Sequence, residues 1–559
     1  MKSYIKIFSL GMCAAALSLT SCVGDLDLTP NNPNLVPGNE LTAADYANVL
    51  AKCYGGMAYS GQTGPNGDCD ISGLDGGTSQ YTRALFMMNE FTTDEVIWIH
   101  ADLGIPDLVT NTWGKDNTMI YGTYSRLYSH IAVCNDFIRQ AKSSEDKDVR
   151  RMVLEARALR AMSYYWVIDI FGQGSFTLDT DELGASPVQK DRKFLYNWLD
   201  GELTDIETQF KEEFANDAVQ YGHVGLDGVQ ALHARLCLNA QVYTTNTVNG
   251  FDKCSQLCEE IIARHLGGGF NGSGLAEYYN YLFCASNDAY MPGGSNKAEN
   301  EILWGIPYQK DYTQAYGGSQ FLIAASTANA DGSNPADGQM DLRYGINNPW
   351  KCMHATEQFS AKFDAAPEDL RFAEWLKEDN GFSKKNTKYG EFSSGYAVVK
   401  YTNLIAGEFG MWSEENGSPY GAGPARLETW VDTDMPLIRL ADVYLMYVES
   451  YIANGSGTAD KAVEYVNYVR ERAGVPSWDV ADLTADNILD ERCRELYWEL
   501  TRRSDLVRHK KFSGNAYLWS YKGSQTSQSG TSFRSYMDIM PIPTNILGAQ
   551  PDFKQNPNY

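Results

Sequence analysis

The chain has 559 residues, 43% of them hydrophobic, enough for one large domain or several small ones with full cores. Lysine and arginine number 46 against 71 aspartates and glutamates, a formal charge of −25. So acidic a chain is a poor partner for nucleic acid or other polyanions and suits neutral ligands.

Lys2 and Lys6 precede an apolar run from Ile7 to Leu19, the layout of a secretory signal peptide over residues 1–21. That run is too short to stay in a bilayer as a spanning helix. Leu19-Thr20-Ser21-Cys22 resembles a bacterial lipobox, so Cys22 is the expected lipidation site, and several acyl chains would anchor it stably. Residues 22–40 read as a polar tether, held as coil by their Pro and Asn. With Cys13 lost and Cys22 acylated, the remaining cysteines are odd in number and irregular in spacing, which is no disulfide framework. Cys254 and Cys258 lie one helical turn apart, but no CxxC or nearby His pair completes a metal site, and neither metal nor cofactor is expected.

A first helix is expected from Leu41 to Met57, with Thr42 as its cap. Gly55 to Gly77 is a Gly- and Asp-rich loop. Its Asp68-Cys69-Asp70-Ile71-Ser72-Gly73 opens like a calcium loop, but Ser79 stands in the twelfth place where an acid is needed. Asp68 and Asp70 therefore read as a polar turn or as carboxylates facing a ligand. Helices follow over Asn117–Lys142, Asp146–Phe171, Asp191–Phe214, Asp227–Asn246 and Asp252–His265. In the second of these, Met152, Ala156, Leu159, Ser163, Trp166 and Ile170 form one stripe. From residue 267 to 433 the texture turns to Gly-rich loops between short apolar pieces such as EILWGIPY, an irregular lobe set into the helical body. The stretch Gly407 to Pro424 carries Phe409, Trp412 and Tyr420 among glycines, with Arg426 after it. Trp350 sits in a second such stretch. Aromatics in this setting face solvent more often than those on a helical stripe.

From Asp434 to His509 three helices are expected. The first is apolar nearly all round from Leu437 to Val448 and so buried. The second starts after Thr458 and ends at Gly474 and Pro476. The third starts at Thr484 and carries Leu489, Cys493, Leu496 and Leu500 on one stripe, with Glu491, Arg492, Arg494, Glu495, Glu499, Arg502 and Arg503 along its flank. That charged array reads as a structural salt-bridge network, not an active site. The tail from Met540 to Tyr559 carries four prolines and is expected to run extended.

RLADVYLMYVESY, VNYVRERAG, ERCRELYWELTRRSDLVR and MPIPTNILGAQPDFKQNPNY, in that order and spacing, resemble the SusD-like (RagB/SusD) outer-membrane nutrient-binding lipoproteins. Weaker echoes lie upstream in EARALRAMSYYWVIDIFG and NEILWGIPY. Leu500 stands where that family usually has Gly, and the terminal NPNY replaces NPGY. The resemblance implies a mainly α fold, a scaffold of tetratricopeptide-like helical hairpins over 41–266 and 434–559, with the loop-rich lobe 267–433 carrying short strands. It also implies a lipid-anchored, surface-exposed glycan-binding protein, and a SusC-like TonB-dependent transporter as partner, which the protein would cap as a hinged lid.

In such proteins a threonine-led DE motif like Thr93-Asp94-Glu95 begins a loop on the ligand-facing surface, which makes Trp98 the first choice for a sugar platform. A sugar ring has an apolar C–H face and a polar rim. An exposed indole covers the face, and a polar side chain beside it, here Asp102, bonds the rim. Asp68, Asp70, Trp350, Trp412, Tyr420 and Arg426 complete the candidate set. No HExxH, GxSxG, Walker A or dinucleotide fingerprint is present. The competing functions are a glycan-active enzyme and a helical scaffold for surface enzymes that never touches sugar.

Overall fold

The computed structural model describes residues 41–65, 69–289, 296–333, 338–385, 394–406, 427–523 and 530–559. The signal peptide, Cys22 and the tether lie outside them, as do Asp68, Trp412, Tyr420 and Arg426. The fold is mainly helical, as expected, and among the described residues the strands form short pairs.

Helix α1 is Ala43–Ala58, started by a full capping box between Thr42 and Asp45. Helix α2 is Tyr81–Asn89, and α3, Thr118–Ala141, begins where Asn117 caps Met119 and Ile120. Helix α4, Lys147–Trp166, starts on the Asp146 carboxylate, and α5, Arg192–Glu213, starts on that of Asp191. Helices α6 (Leu226–Leu238), α7 (Phe251–His265) and α8 (Gly318–Ser326) follow. The C-terminal part supplies α9 (Leu440–Asn454), α10 (Ala459–Arg472), α11 (Ala485–Leu496) and α12 (Arg502–Arg508). Successive helices pack as neighbours from α3 to α7. Then α7 meets α9, and α9 meets α10 and α11. Helix α9 is the centre, with every residue from Leu440 to Ser450 buried.

Four sequence expectations change. The apolar run from Leu437 is not all helix: Met435–Arg439 is a strand that pairs antiparallel with Ile302–Ile306, and the helix begins at Leu440. A run apolar on every face fits a buried strand as well as a buried helix, and EILWGI is the partner that decides it. The predicted helix Asp146–Phe171 ends in a π-turn over Val167–Phe171. The third C-terminal helix breaks after Leu496, because the Glu95 carboxylate takes the Trp498 N–H at 3.0 Å and Glu499 turns inward to Arg439 and Lys400. The chain there reaches φ +62° at Trp498 and +66° at Leu500. The tail also holds one short helix, Thr544–Ala549, and then docks through Asn556, whose side-chain amide donates to the Phe171 and Met540 carbonyls at 2.8 and 2.7 Å.

The charged flank of α11 is a network, and it is interior. Arg439 contacts Glu301, Glu495 and Glu499 at 3.0, 2.6 and 2.7 Å. Arg472 spans Glu301 and Glu495, both at 2.5 Å, and Arg371 reaches Glu491 and Glu495 at 2.8 and 3.1 Å. Burial works against the Glu495 charge, but Arg472, Arg439 and Arg371 overcome it and push its carboxyl down to about 2.

Candidate functional site

Trp98 is not exposed. It belongs to strand β1, Val96–Trp98, which pairs with a second short strand, Met353–Ala355, and it is 1% exposed. Phe91 lies 5.2 Å from its ring and Phe321 6.0 Å. An indole so covered offers no face to a sugar, so the leading sequence candidate for a platform is a core residue. The cause lies just upstream. Asp94 forms a two-pronged pair with Arg502, both oxygens at 2.8 Å, and this draws the DE motif into the interior.

The ring contacts continue outward from Trp98. Phe321 on α8 is 6.0 Å from Trp350, Trp350 is 5.8 Å from Tyr316, and Tyr316 is 5.3 Å from Trp430. These last three rings are only half-buried. Each is fixed by its backbone. The Trp350 N–H donates to the Ala324 carbonyl at the end of α8 at 2.8 Å. The strand of chain carrying Trp430 is clamped on both sides. The Gln320 amide donates to the Thr429 carbonyl at 3.2 Å, and the Thr429 hydroxyl donates to Asn347 at 3.0 Å. Tyr316 precedes Gly317, which lies against the Gln80 side chain, and Gly318, whose φ of +54° and closeness to the Tyr308 ring exclude a side chain.

Arg83 lies under this face. Its guanidinium is 4.8 Å from the Phe321 ring and 5.3 Å from the Trp350 ring. Gln80, the N-cap of α2, accepts the Arg83 N–H at 2.9 Å and donates to the Met57 carbonyl at 2.7 Å, which fixes the start of the helix that carries it. Arg83 is 7% exposed, and its Nε has no hydrogen-bond partner among the described residues. Burial lowers its pKa, and the charges of Asp102 and Asp75 work the other way. Asp75 is partly buried, but the Thr78 N–H and hydroxyl at 2.7 and 2.9 Å, with the Arg83 charge, hold its carboxyl below the usual range. A side chain built on Gly77 would start 3.5 Å from Arg83 Nη1 and 3.8 Å from the Tyr316 side chain, so glycine there keeps the edge of the guanidinium uncovered.

Of the sequence candidates, Trp350 and Asp102 therefore meet at one site, and Trp98 supports it from below. The Trp98 indole N–H donates to the exposed Asp102 carboxylate at 3.3 Å. Asp70 is elsewhere, paired with Arg126 at 2.7 Å. Sequence reasoning missed Tyr316, Trp430, Arg83 and Asp75. Tyr316 carried the signal used for the others, a large aromatic beside glycines. Arg83 gave none, because its meaning depends on three aromatics more than two hundred residues away.

Asp200, His233 and Cys237 form a cluster with metal-ligand side chains. Its donors are already engaged. His233 bonds Glu207 at 2.5 Å and Asp200 at 2.9 Å, and Lys253 also bonds Asp200 at 2.8 Å. Burial opposes charge on His233, but hydrogen bonds from its ring to Asp200, Cys237 and Glu207 raise its pKa well above the usual value, and an imidazolium binds no metal. All nine described cysteines are free, and eight are buried.

The SusD family model matches residues 383–559. The chain is 29% identical to starch-binding protein SusD of Bacteroides thetaiotaomicron over 603 residues, covering 100% of this chain and 99% of that one. A SusD-like protein of Bacteroides ovatus is 22% identical over 427 residues, 73% of this chain and 69% of that protein. Among solved structures, surface glycan-binding protein A from Bacteroides uniformis superposes with a TM-score of 0.64 at 18% identity, covering 92% of this chain and 99% of that one. A laminarin-binding SusD-like protein gives 0.63 at 19% identity, covering 92% and 99%.

Proposed function

We propose, from the premise that this chain is SusD-like along its length, that it binds a neutral oligosaccharide at the face formed by Tyr316, Trp350 and Trp430 and performs no chemistry on it. The observation that carries this reading is the run of three half-buried rings, Tyr316, Trp350 and Trp430, with the Arg83 guanidinium packed against Trp350. The rings supply flat apolar area for the C–H faces of the sugar. Asp75 and Asp102 flank the one guanidinium, so the local charge is not positive and a polyuronate gains no attraction there.

The rest of the role follows the family. Cys22, lipidated after signal-peptide cleavage, tethers the protein to the outer membrane at the cell surface. The protein then delivers its glycan to a SusC-like TonB-dependent transporter, whose lid it forms. Closure over the ligand requires better ligand contacts in the closed state than in the open one.

Titration of neutral oligosaccharides into the wild-type protein and into Trp350→Ala, with the products then analysed for size, tests the reading. Binding lost in the variant and sugars recovered intact are expected. Shortened products would favour the glycan-active enzyme. Binding unchanged by Trp350→Ala would remove the site.

A further inference from the structure

We propose that the open pocket beside Tyr312 is a second carbohydrate site, which takes the continuation of a neutral glycan chain held at the aromatic face. This rests on the function proposed above. The pocket has a volume of about 850 Å³ and is lined by Tyr59, Gln62, Asp70, Asp311, Tyr312 and Gln314, among others.

Tyr312 is 73% exposed, although its backbone is fixed. Its N–H donates to the Gln309 carbonyl and its carbonyl accepts the Tyr59 hydroxyl, both at 2.8 Å. A large ring held out on a fixed backbone beside a polar pocket is a platform without a visible structural duty. The rim supplies the other half of sugar recognition, with the side-chain amides of Gln62 and Gln314 and the carboxylates of Asp70 and Asp311. Asp70 is oriented for this. Arg126 grips one of its oxygens at 2.7 Å from below, and its side chain is still 44% exposed.

The charge balance selects the class of ligand. Two acids, Asp70 and Asp311, and two cations, Arg126 and Lys52, line the pocket, so it is formally neutral. His130 on its floor adds no charge near neutral pH, because burial pushes its pKa down to about 4. An enclosed apolar ligand has no cavity here, and an acidic one finds no surplus cation.

Two segments join this pocket to the aromatic face. Tyr312 lines the pocket and Tyr316 belongs to the face, and four residues of chain span at most about 14 Å. Asp70 lines the pocket, and Asp75, five residues on, neighbours Arg83. A ligand long enough to reach both gains the second set of contacts at high effective concentration.

The test is titration of the purified full chain with malto-oligosaccharide and laminari-oligosaccharide ladders, from the disaccharide upward. For the ladder that binds, affinity should rise with length and then level off. Tyr312→Ala should weaken the longer members at least about fivefold and leave the shortest unchanged. Tyr312→Phe, which keeps the ring, should bind as the wild type does. An exposed side chain makes both variants safe to fold, and an unchanged melting temperature checks it. Equal loss for all lengths, or no loss for any, would overturn the second site and leave the first standing. Wild-type protein that binds neither ladder would overturn both.

Discussion

Leu500 and Asn558 both have positive φ, +66° and +72°. Asparagine tolerates that region through its short polar side chain. Leucine does not, and the strain of about 1–2 kcal/mol is offset by burying a side chain worth about 1.5–3 kcal/mol. Leu500 is indeed buried. The usual ranking of substitutions should therefore invert. Leu500→Ala loses the buried contacts and keeps the strain, whereas Leu500→Gly loses the contacts and relieves it. In urea unfolding, Leu500→Gly should be about 1 kcal/mol more stable than Leu500→Ala. Alanine as the more stable of the two would show that the backbone there is unstrained.

Glu95 gives a pH signature at the same scale. Burial outweighs the nearby Arg502 charge and pushes its carboxyl up to about 7. An unfolded glutamate titrates near 4.3. The folded state thus holds a proton that the unfolded state releases. The stability this contributes is full below about pH 4.3 and is lost as pH rises through about 7. Glu95→Gln should flatten that part of the stability profile, measured by denaturant midpoints at a series of pH values. A wild-type decline retained in the variant would assign it to another group.

Among the elements, strand β1 and the end of α8 divide the tryptophans into two kinds. Trp98, inside, should behave as core, with Trp98→Ala costing about 3–5 kcal/mol of stability. Trp350, at the face, should cost far less and should abolish binding. Thermal melting and titration of the two variants together separate these roles. A stable Trp98→Ala protein that no longer binds sugar would reverse them.

The helices were legible because their signals are local. The caps read at Thr42 and Thr458 hold, and the helices expected from Asp146, Asp191 and Thr484 start with those residues as their N-caps. Strand Met435–Arg439 was not legible, because an apolar run cannot name its own partner and Ile302–Ile306 lies far upstream. Nor was the break after Leu496, since it is caused by Glu95 from the other end of the chain. The site divided in the same way. Trp350 was singled out from the stretch around it, and Asp102 from its closeness in sequence to Trp98. Arg83 and Trp430 became visible only when folding set them beside Tyr316 and Trp350.

Over the whole molecule, the interior charges tie the middle of the chain to the C-terminal helices. Glu301 directly precedes the strand Ile302–Ile306, Arg371 and Lys400 follow that strand in the chain, and Arg439, Arg472, Glu495 and Glu499 come from the C-terminal part. Removing one partner strands the others in a dry interior. Glu495→Ala should cost about 3–5 kcal/mol, or prevent folding outright. Lys461→Ala, which removes an exposed pair with Glu259, should cost less than about 1 kcal/mol. Comparable costs in chemical unfolding would mean that the network is solvated. A buried network of this kind fits the task proposed above, holding a binding face outward with its rings in place before the ligand arrives.

That task is tested most directly by a crystal structure of the protein with a neutral oligosaccharide bound. The expected result is a sugar ring lying against Trp350 or Trp430, with an oxygen within hydrogen-bond reach of the Arg83 guanidinium. Sugar bound elsewhere, with Tyr316, Trp350 and Trp430 bare and Arg83 untouched, would contradict it.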